Sequence, residues 1–149
     1  MILWRACRAP YATLDGEGAR RFGGRWNSSG RPAVYLAEHP ALAILEIRAH
    51  LDLPLALLPD DYVVLRIEAP DGCAISTAPD GVAPGEEAAI GDDWLEAGHT
   101  PLLEVPSILA PRSRNYLLNP LHPDARSIRI VERLPFVFDP RLLAEPGDD

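Results

Sequence analysis

Three polar groups within residues 23–46 are of types that could form a functional site. A glycine pair precedes Arg25, a short apolar stretch contains Tyr35, and a second apolar run contains one carboxylate, Glu46. An arginine forms paired hydrogen bonds with phosphate oxygens, and a carboxylate accepts hydrogen bonds from hydroxyl groups and stabilises positive charge. These three polar groups together predict a site.

The element that presents Glu46 is predicted to be a helix over residues 39–51. Pro40 suits the first helical turn, where its missing N–H has no helical partner. Glu46 interrupts an otherwise apolar run, so no polar face with a 3.6-residue period can be drawn and we predict a helix buried on all sides. A buried carboxylate needs a cation, hydrogen-bond donors or a ligand. Glu46 is therefore either a site residue or half of a structural ion pair with Arg25, Arg48 or another arginine.

The remaining elements predict an α+β fold with a mostly β core and few short helices. Sixteen prolines favour short elements and many loops. Strands are predicted over residues 2–7, 33–37, 62–68, 102–105, 127–132 and 134–138. A short helix is predicted over residues 94–97, with Asp92 or Asp93 as its cap and Gly98 at its end. Loops are predicted over residues 10–32 and 70–92, and residues 115–123 are predicted to be a loop or a short helix.

Composition limits the class of protein. A chain of 149 residues with 47% hydrophobic residues fits one domain, predicted over residues 1–140 and followed by a disordered acidic tail at 141–149. No apolar run is long enough to span a membrane, and the first residues lack the features of a signal peptide. We therefore expect a cytoplasmic protein. The net charge of −8 argues against nucleic acid as a direct partner.

Metal chemistry and a disulfide are not expected. Cys7 and Cys73 have no CxxC spacing, and the four histidines have no metal-ligand spacing. The glycines near residues 16–24 form neither a Rossmann nor a P-loop pattern. We therefore expect reduced cysteines and no metal site.

An ordered set of short segments resembles the RES domain, a family named for an Arg, a Glu and a Ser. The segments are Trp4-Arg5, Gly24-Arg25-Trp26-Asn27, Tyr35, Glu46 and Val105-Pro106-Ser107, and residues 115–123 are similar to the family's C-terminal signature. We match the three eponymous residues to Arg25, Glu46 and Ser107. The resemblance extends from residue 3 to about residue 137.

The resemblance implies a toxin from a bacterial type II toxin–antitoxin system. Members have a fold similar to that of ADP-ribosyltransferase toxins and consume NAD+ by hydrolysis or phosphorolysis, and some transfer ADP-ribose to a protein. The expected partner is an antitoxin with an Xre-like helix-turn-helix, and the toxin is expected to be a homodimer within the complex. NAD+ is then a substrate held by side chains in a cleft, with water, phosphate or a protein as the acceptor.

The resemblance also implies residue roles. Arg25, Tyr35, Glu46 and Ser107 are expected to be catalytic, and Arg5, Arg25, Tyr35 and Ser107 to bind NAD+ in the cleft that contains Glu46. Taken one at a time, each has a structural alternative: Arg25 could only pair with Glu46, Tyr35 could be a core residue, and Ser107 could cap a turn. A non-catalytic interaction domain in which Arg25 and Glu46 only stabilise the fold is therefore the alternative function.

Overall fold

A computed structural model of the chain describes residues 1–51 and 53–142. Within these residues seven strands form one sheet: β1 (Ile2–Arg8), β2 (Val34–Ala37), β3 (Tyr62–Glu68), β4 (Ile75–Thr77), β5 (Leu102–Pro106), β6 (Arg114–Leu118) and β7 (Arg129–Pro135). The helices are α1 (Glu17–Phe22), α2 (Pro40–Ala49) and α3 (Glu87–Ala97), with 3-10 turns at Ala9–Tyr11, Leu55–Leu57, Pro123–Ser127 and Pro140–Leu142. The predicted tail, 141–149, lies outside the described residues apart from its first two.

The sheet is mixed, with strand order β4-β5-β6-β2-β1-β3-β7. Only β4 and β5 run parallel, and all other neighbours are antiparallel. The predicted α+β class with a mostly β core is confirmed. Strand β3 is buried on both faces over most of its length, which its Val-Val-Leu-Arg-Ile sequence favours.

Strand pairing assigns residues to the two faces of the sheet. Trp4 lies opposite Ala37, Ala37 opposite Asn115, and Asn115 opposite Val105, so one row of side chains crosses four strands on one face. Helix α2 packs on this face through Leu42 and its neighbours. Helix α3 packs on the same face, where Trp94 joins a cluster of side chains from β5 and β6. We call it the helix face, and the opposite side, covered mainly by loops, the loop face.

The prediction that α2 is buried on all sides is wrong. Leu42 and Ala43 are buried against the sheet, whereas Ala41, Leu45 and Ala49 are exposed along one stripe of the helix. A run of apolar residues does not reveal its solvent side when that side is also apolar. Pro40 does occupy the first turn, as predicted, and the ring nitrogen of the preceding histidine accepts a hydrogen bond from the Ala41 N–H.

Several other predicted elements differ from the structure. The predicted loop 10–32 contains α1, and the irregular stretch 70–92 contains β4 and the first turns of α3, so that Asp92 and Asp93 lie inside a helix and do not cap it. Residues 114–118 form strand β6 because β2 and β5 pair with it on both sides. In place of the two strands predicted over 127–132 and 134–138 there is one strand, β7, over Arg129–Pro135.

The contact between α3 and the loop after α1 requires a glycine. A Cβ built on Gly91 would lie 1.6 Å from the carbonyl oxygen of Trp26, so any side chain at Gly91 would force helix and loop apart. The Trp26 side chain is only 3% exposed and packs with Trp94 of the same helix. This contact fixes the position of residues 23–32, which carry Arg25.

None of the described helices combines the length and apolar character needed to span a membrane.

We expect Gly91→Ala to destabilise the protein strongly, because the new methyl group overlaps the Trp26 backbone. Overpacking costs about 1–3 kcal/mol and sometimes more. The matched control is Gly18→Ala in α1, where a Cβ would meet nothing within 4 Å and the gain in helix propensity is about 1 kcal/mol. Urea unfolding measures both. Equal free energies of unfolding for the two variants would contradict the proposed close contact.

Candidate active site

Glu46 lies on the helix face of the sheet and is held by two hydrogen bonds. Ser107 Oγ and Asn115 Nδ2 each donate to the same carboxylate oxygen, Oε1, at 2.8 Å. The other oxygen, Oε2, accepts no hydrogen bond from the described residues and is not among their buried, unpaired polar atoms. One oxygen of the carboxylate is thus fixed, and the other is available to a ligand.

The hydroxyl proton of Ser107 is directed at Glu46 by the local backbone. Ser107 follows β5 and is 8% exposed, and its Oγ accepts hydrogen bonds from the N–H groups of Leu109 (3.2 Å) and Ala110 (3.1 Å). Because these donors occupy the oxygen's lone pairs, its single proton points to the remaining acceptor, the carboxylate. Ser107 is therefore both the turn-forming residue that the sequence allowed and a contact of Glu46.

Asn115 is a contact of Glu46 that the sequence analysis did not select. The sequence predicts a loop or a short helix at residues 115–123, whereas Asn115 lies in the inner strand β6, opposite Ala37 and Val105. An amide inside a run of Tyr-Leu-Leu was the available signal, because Asn is depleted in strands. Strand pairing, which the sequence alone did not predict here, places its side chain under α2.

No arginine of the described residues pairs with Glu46. The guanidinium of Arg25 lies 3.7 Å from Glu87 Oε1 in α3, and Arg48 donates to backbone carbonyls, including that of Leu142. The structural ion pair considered as the alternative for Glu46 is thus not formed. The carboxylate has only neutral donors.

Tyr35 supports the loop that carries Arg25. Its hydroxyl accepts a hydrogen bond from the Trp26 N–H (2.9 Å) and donates to Asn27 Oδ1 (2.7 Å). A Cβ on Gly24 would lie 2.5 Å from the same hydroxyl, so the glycine lets the tyrosine reach the loop. Tyr35 is on the helix face, diagonal to Asn115 across the β2–β6 pair, a spacing of roughly 7–8 Å.

Burial raises the pKa of Tyr35 to about 12, and the hydrogen bond from the Trp26 backbone opposes part of this shift. The charges of Asp92 and Arg25 act in opposite directions on the same hydroxyl. The ordinary value is about 10, so the neutral hydroxyl's stabilising contribution is complete below pH ~10 and is lost as the pH rises through the folded-state value. Tyr35 is therefore a neutral hydrogen-bonding group at physiological pH.

Arg5 lies on the other side of the sheet from Glu46, which differs from the expectation that both line one cleft. Side chains alternate along β1, and Trp4 is on the helix face, so Arg5 is on the loop face. Its Nη1 donates to the carbonyl oxygens of Tyr11 (2.7 Å) and Thr13 (3.0 Å). The sequence predicted opposite faces for Trp4 and Arg5 but not which face carries α2.

Two surface depressions lie away from Glu46. One, of about 480 Å³, is lined by residues 29–32, Leu95, Asn119 and Leu121; the other, of about 490 Å³, is lined by Leu14 and residues around 118–126. Neither is lined by Glu46, Tyr35 or Arg25. We place the candidate site at Glu46 because polar groups converge there, which the chemistry of a site requires.

The described residues contain no cluster of three or more His, Cys, Asp or Glu side chains that could hold a metal ion. Cys7 and Cys73 are free thiols, and burial raises the pKa of the Cys7 thiol. Neither thiol makes a hydrogen bond to a residue of the candidate site.

The RES domain model matches residues 2–139. Toxin Res of Pseudomonas putida is 40% identical over 136 residues, which are 87% of this chain and 92% of that protein. The Prs ADP-ribosylating toxin of Sphingobium is 36% identical, covering 87% of this chain and 86% of the relative. NAD(+) phosphorylase MbcT of Mycobacterium tuberculosis is 32% identical over 66% of this chain and 60% of the relative.

The crystal structure of the M. tuberculosis MbcT–MbcA toxin–antitoxin complex contains a chain with a similar fold. The TM-score is 0.70 at 21% identity, and the match covers 91% of this chain and 83% of that one. The likeness shows that this chain and that one share a fold over most of their lengths.

We expect Tyr35→Phe to lower the free energy of unfolding by about 1–3 kcal/mol, because it leaves the Trp26 N–H and Asn27 Oδ1 without their partner. Tyr11→Phe is the control, since Tyr11 is 61% exposed and its hydroxyl makes no hydrogen bond with the described residues. Chemical denaturation of both variants measures the difference. Equal stabilities would show that the hydroxyl does not support the arginine loop.

Proposed function

The chain belongs to the RES domain family, and from this premise we propose that it is the toxin of a bacterial toxin–antitoxin pair and consumes NAD+. The names of its relatives support both parts: Toxin Res from Pseudomonas putida, and an NAD(+) phosphorylase from Mycobacterium tuberculosis. The reaction breaks the bond between nicotinamide and ribose C1′. The electron pair leaves with nicotinamide, and an acceptor forms the new bond to C1′.

The observation that carries the proposal is that only one carboxylate oxygen of Glu46 is hydrogen-bonded by the described residues. Breaking the glycosidic bond develops positive charge on the ribose, as in glycoside hydrolysis. Nicotinamide departs as a neutral molecule, so a strong general acid is not required. Glu46 Oε2 accepts a hydrogen bond from a ribose hydroxyl, and this hydrogen bond strengthens as positive charge develops on the ribose. Ser107 acts on the reaction by holding Oε1.

Arg25 and Tyr35 form the second part of the proposed site. Arg25 is about half-exposed, and its distance of 3.7 Å from Glu87 is too long for a good hydrogen bond. The guanidinium exchanges this ion pair for the pyrophosphate of NAD+, which it can bind through two parallel hydrogen bonds. Tyr35 holds the loop in place for this contact. Arg5 is not part of the proposed site because it lies on the loop face.

The acceptor is water, phosphate or a protein. The MbcT relative's name favours phosphate, and the Sphingobium relative's name supports the second candidate function, transfer of ADP-ribose to a protein. Both reactions begin with the same bond cleavage at the same carboxylate. Residues that bind the acceptor decide between them.

The proposed partner is an antitoxin that covers the site. A solved relative, MbcT, forms a complex with the antitoxin MbcA, which supports an antitoxin for this chain too. An Xre-like helix-turn-helix in that antitoxin, a homodimeric toxin within the complex and a cytoplasmic location remain predictions. A helix-turn-helix reading frame beside the gene would support the first of them.

We expect Glu46→Gln to lower the rate of nicotinamide release from NAD+ by at least about 10²-fold, because the charge that stabilises the transition state is lost. Glu96→Gln is the control, since that carboxylate is exposed and pairs with Arg31. The purified protein is assayed with NAD+ in the presence and absence of phosphate. Similar rates for wild type and Glu46→Gln would reject the proposed function.

The same assay distinguishes the acceptors. Phosphate-dependent nicotinamide release indicates phosphorolysis, and release without phosphate indicates hydrolysis. Labelled NAD+ that modifies a protein band in a cell lysate indicates ADP-ribosylation. For the non-catalytic alternative, Glu46→Ala lowers the melting temperature while toxicity in cells is unchanged.

We expect Arg25→Gln to raise the KM for NAD+ by about 10-fold or more, which corresponds to the loss of a charge-assisted hydrogen bond of about 1.5–3 kcal/mol. Arg31→Gln is the matched control: its side chain has the same exposure, 43%, and also pairs with a carboxylate of α3. Steady-state kinetics measures the KM for NAD+ of both variants. A larger rise in KM for Arg31→Gln would place the pyrophosphate in the depression next to Arg31 instead.

A further inference from the structure

Asn115 occupies an unusual position for an amide. It lies in β6, a central strand, with Ala37 on one side and Val105 on the other. The following residues of the strand, Tyr116 to Leu118, are buried. Asn is depleted in strands because its side chain competes for backbone hydrogen bonds and contributes little apolar area. Its presence here calls for a specific contact.

The amide of Asn115 is only half satisfied. Nδ2 donates to Glu46 Oε1 at 2.8 Å, whereas Oδ1 is buried and has no partner among the described residues. A buried acceptor without a partner costs about 1–3 kcal/mol. The Nδ2 hydrogen bond to a charged carboxylate contributes about 1.5–3 kcal/mol, so the two contributions roughly cancel. Stability alone therefore does not explain an asparagine at this position, whereas a role toward Glu46 does.

The hydrogen bonds from Asn115 and from Ser107 reach Glu46 Oε1 from different parts of the chain. Ser107 approaches Oε1 from the segment after β5, and Asn115 approaches it from the start of β6. Two donors from different segments of the chain fix both the position and the rotation of the carboxylate, which a single donor cannot do. The result is that Oε2 keeps one orientation toward the ligand.

We infer that Asn115 is a positioning residue for the reaction: together with Ser107 it holds Glu46 by Oε1 and so presents Oε2 to the ribose. This inference rests on the proposed function. Asn115 does not contact the substrate through Oδ1, because that atom is enclosed. Asn115 affects the reaction only by holding Glu46 in position.

The sharpest test is Asn115→Asp, which keeps the shape of the side chain but replaces the donor facing Glu46 with an oxygen. We expect kcat for nicotinamide release to fall by about 10²-fold or more, the cost of a misplaced catalytic group, with little change in the KM for NAD+. Asn115→Ala removes the donor and the unpaired Oδ1 together. We expect kcat to fall similarly while the melting temperature stays close to that of the wild type.

The control for a merely structural effect is Asn119→Ala. Asn119 is also a buried amide, 4% exposed, and it donates to the Leu95 carbonyl and accepts from the Leu121 N–H. We expect it to lower the melting temperature and leave kcat nearly unchanged. The inference is overturned if both Asn115 variants keep the wild-type kcat, or if their kcat falls only in step with the melting temperature, as in Asn119→Ala.

Glu46→Gln, assayed in parallel, separates this inference from the proposed function. If Glu46→Gln loses activity and the Asn115 variants do not, Asn115 is not a positioning residue but the proposed function stands. If Glu46→Gln keeps full activity, the proposed function itself fails. Loss of kcat in both Glu46→Gln and the Asn115 variants supports the two together.

Discussion

The two hydrogen bonds that converge on Glu46 Oε1 are the interaction on which the candidate site depends. They join α2 to the end of β5 and the start of β6, segments that are 61 and 69 residues away in the chain. The carboxylate can be held this way only if α2 lies at a fixed height above the sheet, which the packing of its buried residues Leu42 and Ala43 sets. The packing of α2 on the sheet therefore determines where the Glu46 carboxylate lies.

A second constraint acts on the arginine loop from two sides. The hydroxyl of Tyr35 binds the loop from the sheet, and α3 approaches it so closely that only glycine fits at position 91. The side chain of Arg25 stays partly exposed within this rigid frame. A rigid backbone around the arginine suits a phosphate ligand, because less conformational freedom is lost when the ligand binds.

The sequence predicted best what depends on local pattern. Strand β3 has the predicted bounds, and Pro40 begins α2 as expected. What failed depends on contacts distant in sequence: Asn115 belongs to a strand because β2 and β5 flank it, and the outer stripe of α2 is exposed although it is apolar. Alternation along β1 separated Trp4 from Arg5, yet only the tertiary structure showed which of them shares a face with Glu46.

The most direct measurement of the central claim is a crystal structure of the protein with a non-cleavable carbocyclic analogue of NAD+. We expect a hydroxyl of the cyclopentane ring within hydrogen-bonding distance of Glu46 Oε2, while Ser107 and Asn115 still donate to Oε1. The claim would be contradicted by an analogue bound in the depression lined by Arg31, Asn119 and Leu121, or by one that displaces Ser107 and Asn115 from the carboxylate.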